Sequence, residues 1–373
     1  MIRDKRHIGW LLSLLAVLLA GCSGSDGGEE TPKPMLSIYV YAPEHPVVTR
    51  GVEGVTAEGS SEENKIQKLQ IWIFKTGTEE LIGYLGMNGD QLANLNSSQH
   101  QEVFRMEIPE SFASTPSDQR SKVDVYVLAN VTDDNCGDSK GEGAHRANPA
   151  EGSLESTHIV GNYFCPQEGI PDDGIPMSAV LRQITVDGES PVLRITTATL
   201  VRAVSKIRFV FSSHTSKGDV SIEGVELDGG QIPVIDYMFK EGVEANYRTE
   251  TVMMLRNMGI INKNDNPESY EYKDDIAGFV EALDKGVSED KLSESSVFLR
   301  PTDKLLKGKI YYRVGTDVSQ RSARFEMSAK GDFSRNHTWI IYGFFRANQL
   351  EVETVDITPW EDTGSEEREV YNW

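Results

Sequence analysis

The chain reads as all-β, and three observations predict it. Apolar residues recur mostly at every second position. The runs that alternate in this way are bounded by clusters of Gly, Asn, Asp, Ser and Pro, which punctuate strands. Helical periodicity is confined to a small part of the chain, chiefly 274–283, where Ile276, Phe279, Val280 and Leu283 fall on one face behind an acidic start and predict a helix.

The first residues do not belong to that body. Arg3, Lys5 and Arg6 precede an apolar run over 8–20, and Leu19-Ala20-Gly21-Cys22 follows. Basic start, short apolar stretch and small residues are the parts of an export signal. The run is short for a membrane span. A cysteine directly after small residues is what lipoprotein signal peptidase requires, so residues 1–21 are expected to be removed and Cys22 to carry lipid in a bacterial membrane. Beyond it, Ser23-Gly24-Ser25-Asp26-Gly27-Gly28 cannot pack and reads as a tether.

The chain has 373 residues and a net charge of −21. The leader carries Arg3, Lys5 and Arg6 against Asp4, a balance of +2, so the remaining 352 residues stand at −23. That length is enough for about two domains. Such acidity repels phosphate backbones and argues against nucleic-acid binding. After Cys22 only Cys136 and Cys165 remain. Outside the cell they are either joined as a disulfide or left as two buried thiols, and spacing does not choose between these.

Strands are expected in order along the body. Leu36-Ser37-Ile38-Tyr39-Val40-Tyr41 alternates until Pro43 stops it. A polar, glycine-bearing stretch over 50–64 predicts an exposed loop. Strands then fall at 69–74, 103–108 and 123–128, the last ending at Ala129-Asn130. Residues 132–173 are rich in Gly, Asp, Asn and Glu, and are too long for a turn, so an elaborated loop with a short helix is expected there. Strands resume at 180–186 and 192–197, and the longest run covers 200–211, where a domain junction is placed. The second half repeats the style at 220–227, 296–299, 309–314, 324–328 and 338–345. Leu350, Val352, Val355 and Ile357 then make a further strand, and 366–373 a second extended piece. A terminal tail that keeps strand-forming residues should pair with something.

Catalytic motifs in a usable context are missing from the sequence: Gly137-Asp138-Ser139-Lys140-Gly141 spells Gly-x-Ser-x-Gly but lies within the polar stretch 132–173 and not at the end of a strand, so it is no nucleophile elbow, and there is no phosphate-binding Gly-Lys-Ser/Thr loop and no Gly-x-Gly-x-x-Gly. His45, His100, His145, His158, His214 and His337 are scattered singly, without zinc-site spacing. Asp133-Asp134-Asn135-Cys136-Gly137-Asp138 looks like half a calcium loop, but Ala144 stands where the bidentate Glu of an EF-hand would sit. No enzyme, metal or cofactor is expected.

A lipid anchor, a first strand followed by a protease-sensitive loop, a β-rich body in two halves and a strand-like tail are the parts of a strand-exchange polymer. A β-sandwich that loses its first strand exposes an apolar groove and unpaired backbone groups, and another strand is drawn in. The landmarks also resemble one family, the FimA-type fimbrillins that build type V pili. Thr49-Arg50-Gly51, an acidic loop and then Asn64-Lys65-Ile66-Gln67-Lys68-Leu69-Gln70-Ile71-Trp72-Ile73-Phe74 look like its processing site and following strand. Val125-Tyr126-Val127-Leu128-Ala129-Asn130, Leu200-Val201-Arg202-Ala203-Val204-Ser205-Lys206-Ile207, Tyr311-Tyr312-Arg313-Val314, Arg335-Asn336-His337-Thr338-Trp339 and Val355-Asp356-Ile357-Thr358-Pro359-Trp360 resemble further family landmarks in order, as does the terminal Trp373.

That resemblance implies two transthyretin-like β-sandwich domains in tandem, at 51–200 and 201–349, behind a lipidated propeptide at 22–50. It implies cleavage between Arg50 and Gly51 by an arginine-specific protease, and a donor tail at 350–373. The partners it implies are other pilin subunits, with an adhesion target that the residues do not name. The expected role is a stalk or accessory subunit. A fimbrial anchor, a tip adhesin and a monomeric glycan-binding surface lipoprotein are the alternatives. Trp72, Trp339 and Trp360 lie in or beside strands and read as core, which leaves few sugar platforms.

Overall fold

The computed structural model describes residues 35–42, 63–78, 80–97, 100–109, 122–131, 158–159, 170, 172–186, 195–234, 236–239, 246–263, 265, 292–327, 333, 335–346 and 349–357. In chain order its strands begin with β1 (Met35–Tyr41), β2 (Lys68–Lys75), β3 (Leu81–Asn88), β4 (Gln101–Glu107), β5 (Lys122–Ala129), β6 (His158–Ile159), β7 (Met177–Thr185), β8 (Ile195–Thr199) and β9 (Val201–Arg202). They continue with β10 (Ser205–His214), β11 (Val220–Leu227), β12 (Asp236–Tyr237), β13 (Val252–Ile261), β14 (Leu292–Leu299), β15 (Lys307–Val314), β16 (Arg321–Glu326), β17 (Thr338–Arg346) and β18 (Gln349–Ile357). The fold is all-β, and the helix expected at 274–283 lies outside the described residues.

Two pairs of sheets arise from the alternation. In the first half, a sheet in the order β4-β1-β8 shares a core with a sheet in the order β3-β2-β5-β7-β9. In the second, β14-β10-β17-β18 shares a separate core with β13-β11-β15-β16. Alternate residues supply both cores, as period-two runs require. Leu36, Ile38 and Val40 of β1 pack with Ile71 and Ile73 of β2 and Val125 and Val127 of β5. Ile207, Phe209 and Phe211 of β10 pack with Ile222 and Val225 of β11 and Ile310 of β15.

The two sandwiches have the same strand topology. β1, β2, β3, β4, β5, β7 and β8 correspond in order to β10, β11, β13, β14, β15, β16 and β17. Even strand directions repeat: β1 is antiparallel to β4 and parallel to β8, and β10 is antiparallel to β14 and parallel to β17. Two additions break the repeat. β9 extends the edge of β7, and β18 extends the edge of β17.

A third apolar cluster lies between the halves. Trp72, Tyr126 and Leu128, from the face of β2 and β5 turned away from the first core, pack with Ala203, Val204, Met238, Phe239 and Phe298. The rings of Tyr126 and Phe239 meet edge to face at 5.0 Å. The short β6 pairs with β12, tying residues 158–159 to residues 236–237 of the second half.

The structure departs from the sequence expectations at three places. The run expected at 200–211 is broken at Ala203 and Val204, with β9 before the break joining β7 and β10 after it opening the second sandwich. Both residues are fully buried, so an unbroken apolar run conceals the change of sheet. β3 and β13 show no clear alternation, and the sequence pattern does not predict them. Each is the edge strand at the same place in its sheet, half in solvent, and β13 is further disturbed by Asn257 at φ 51° and Gly259 at φ 101°. Finally, the loop expected to be exposed through residue 64 ends in two buried polar residues, Glu63 and Asn64. Charge pairing accounts for them.

Candidate functional site

The first strand sits in the middle of its sheet. β1 runs in ladder with β4 from Met35 opposite Glu107 to Tyr41 opposite Gln101, and with β8 from Ser37 opposite Ile195 to Tyr41 opposite Thr199. Ala42 extends the ladder by donating its N–H to the His100 carbonyl at 2.8 Å, and Leu200 donates to the Tyr41 carbonyl at 2.9 Å. Both edges of β1 are therefore hydrogen-bonded.

Its side chains divide cleanly between two faces. Leu36, Ile38, Val40 and Ala42 are each at most 2% exposed and enter the core beside Phe104, Met106 and Ala198. Burial of each of the three larger side chains contributes roughly 1.5–3 kcal/mol. On the opposite face Tyr39 and Tyr41 lie with ring centroids 4.8 Å apart, and Ser37 is buried with no partner for its hydroxyl. An unmade hydrogen bond of that kind costs about 1–3 kcal/mol. β1 thus fills an apolar slot with four alternate aliphatic side chains, and leaves one buried hydroxyl unpaired on its other face.

The chain re-enters the described structure at Glu63, and from there it is firmly held. The Glu63 carboxylate accepts a hydrogen bond from Nζ of Lys206 at 2.7 Å, with both side chains buried. Arg202, also buried, donates to Asn64 Oδ1 and to Asn336 Oδ1, the latter at 2.7 Å. Asn96 brackets Ile66, accepting from its N–H and donating to its carbonyl, both at 2.7 Å. Asn130, in the left-handed region at φ 57°, accepts from the Gln67 N–H at 2.8 Å and donates to the carbonyls of Lys65 and Ile175. Gly174, at φ +81°, leaves room for it: a Cβ there would lie 2.5 Å from Asn130 Nδ2. Opposite charges and capped carbonyls therefore fix the stretch before β2, with Lys206, Arg202 and Asn336 tying it to the second half of the chain.

Residues 43–62 between these two anchored stretches lie outside the described residues, and with them Arg50 and Gly51. The same holds for Cys22, for Cys136 and Cys165, for 133–138, for 1–21 and for 358–373. The strand expected in the tail is present: β18 pairs along its length with β17, from Gln349 opposite Arg346 to Ile357 opposite Thr338. Trp72 and Trp339 are core residues, at most 2% exposed. Arg335, Asn336 and His337 form a turn before β17, where Arg335 pairs with Asp236 at 2.8 Å and donates to the Met238 carbonyl.

Shifted ionisations are scattered away from the slot. Tyr247 is pushed up to about 12, first by burial and then by its hydrogen bond to Asp303. Lys263 is raised by Asp265, and Asp317 is lowered by the Ser319 backbone N–H and then by Arg321. These are single pairs and do not converge. Among the described residues no three His, Cys, Asp or Glu side chains gather as metal ligands, and no helix is long and apolar enough to cross a membrane. The chemistry of the slot is main-chain hydrogen bonding and apolar burial. Sequence reasoning finds β1 but misses the Glu63–Lys206 pair, because the two residues are 143 positions apart.

No protein-family model matches the chain, and neither does any curated protein. Among solved structures it is similar to the tip fimbrial protein Mfa3 from Porphyromonas gingivalis, with 11% identity, a TM-score of 0.49 and coverage of 87% of this chain and 99% of that one. It is also similar to a fimbrial assembly protein from Parabacteroides distasonis, with 12% identity, a TM-score of 0.47 and coverage of 87% and 96%.

Proposed function

We propose that this chain is a non-catalytic subunit of a surface fimbria that supports adhesion, and that β1 is a removable plug. In this reading the chain reaches the outer membrane as a lipoprotein anchored through Cys22. An arginine-specific protease then cuts between Arg50 and Gly51, and the fragment carrying Cys22 and β1 leaves. A strand of another subunit takes its place by donor-strand exchange, and residues 350–373 are the segment offered onward. The domains would be transthyretin-like sandwiches at 51–200 and 201–349.

The observation that carries this reading is the placing of β1. A strand central to its sheet, with four alternate aliphatic side chains in the core, is followed in the chain by residues 43–62, which hold the proposed cut. The stretch beginning at Glu63 is held independently by Lys206, Arg202 and Asn130. A cut in between can free the strand without loosening the rest. Vacating the slot exposes apolar pockets and two unpaired sheet edges, which together favour entry of a strand.

The reading is tested on the chain lacking residues 1–21, treated with an arginine-specific protease and then with an excess of a synthetic peptide of residues 35–42. The expected outcome is a new N-terminus at Gly51 and exchange of the 22–50 fragment for the peptide, read by mass spectrometry. An intact Arg50–Gly51 bond, or a cut chain that never exchanges the fragment, would overturn it.

A further inference from the structure

Given that slot reading, we infer that the slot takes its strand from a different protein and not from a second copy of this chain, because the slot and this chain's own tail do not match. The slot presents consecutive pockets for Leu36, Ile38, Val40 and Ala42, all at most 2% exposed. An occupant must run antiparallel to β4 and parallel to β8, and must place aliphatic side chains at four alternate positions.

Neither frame of the tail does so. One frame reads Leu350, Val352, Thr354, Asp356, Thr358, and the other reads Glu351, Glu353, Val355, Ile357, Pro359. Two aliphatics in succession is the most that either supplies. The first frame then brings a hydroxyl and a carboxylate to apolar pockets, and a buried carboxylate without a partner is strongly disfavoured. The second brings Pro359, which has no N–H for the ladder. Further along, 366–373 offers Val370 next to Asn372 in one frame and Tyr371 next to Trp373 in the other. Rings do not enter pockets shaped by Val and Ala without displacing their walls.

The fitting partner is therefore an extended segment of another chain with small or branched aliphatic residues at four alternate positions and no proline among them. This makes the protein a member of a mixed assembly, one that receives one kind of strand and offers another.

The test uses the chain cut within residues 43–62, at Arg50 or at an engineered site, with Ile38→Asp in its own β1 so that the fragment leaves. Three fluorescent peptides are titrated: residues 35–42, residues 349–373, and residues 349–373 with Thr354→Ile and Asp356→Val. The first and third should bind, and the natural tail should bind at least about a hundredfold more weakly than the first, two polar groups in apolar pockets being enough for that. Equal binding of the natural tail overturns the inference while leaving the slot reading intact. So does failure of the third peptide when the first binds. If residues 35–42 themselves fail to bind, the slot reading falls. Should Ile38→Asp prevent folding, the unmodified cut chain with excess peptide gives the same comparison through release of the 22–50 fragment.

Discussion

Each sandwich is centred, in one of its sheets, on a strand with one antiparallel and one parallel neighbour. In the first half this is β1 between β4 and β8, and in the second it is β10 between β14 and β17. Both strands are buried and both feed alternate apolar residues to a core. They differ in how they are tied. β10 is reached from β9 through the buried Ala203 and Val204, and leaves toward β11 through residues 215–219, where Gly218 lies so close to Gly315 that a Cβ would come within 2.5 Å. β1 is followed by residues 43–62, and beyond them Glu63 pairs with Lys206. Equal placing in a fold does not make two strands equally replaceable. On the function proposed above, the covalent connections decide which one can be exchanged.

Substitutions can break or sharpen that contrast. The largest effect should come from a buried charge in either central strand. Ile38→Asp and Phe209→Asp should each cost about 3–5 kcal/mol in the uncut chain, measured by chemical denaturation. After a cut within 43–62 and removal of β1, the cost of Ile38→Asp should vanish with the strand, and that of Phe209→Asp should persist. Next in size, Lys206→Met deprives the buried Glu63 of its ammonium partner and should destabilise by about 3–5 kcal/mol. A double variant with Glu63→Leu should recover most of that loss, which a double-mutant cycle reads directly. Gly174→Ala forces an L side chain into φ +81° against Asn130, with an expected cost of about 1–3 kcal/mol in thermal denaturation. The smallest effect has the opposite sign. Ser37→Ala removes the buried unpartnered hydroxyl, and should hold β1 more tightly by about 1 kcal/mol, slowing its release after cleavage roughly fivefold.

The strands of both cores are legible in the sequence because a central strand buries one face and declares it by alternation, as Leu36-Ser37-Ile38-Tyr39-Val40-Tyr41 does. β3 and β13 are not legible. As edges they bury less, and glycines at 83, 86 and 259 remove side chains that would have shown a period. The slot itself is half legible: its occupant can be read, but not its neighbours, since pairing of β1 with β8 joins residues far apart in sequence. The clamp at Glu63 reads as loop, because a carboxylate and an amide signal solvent until their partners, Lys206 and Arg202, are seen. Sequence periodicity also does not distinguish an exchangeable strand from a permanent one.

The exchangeability of β1 is most directly tested by amide hydrogen exchange on the cut chain, before removal of β1, after removal and after addition of residues 35–42 as a peptide. Protection should be lost at 101–107 and 195–199 when β1 leaves and restored when the peptide enters, while 292–299 and 338–346, the neighbours of β10, stay unchanged throughout. Loss of protection in both halves together, or no recovery on adding the peptide, would contradict the account.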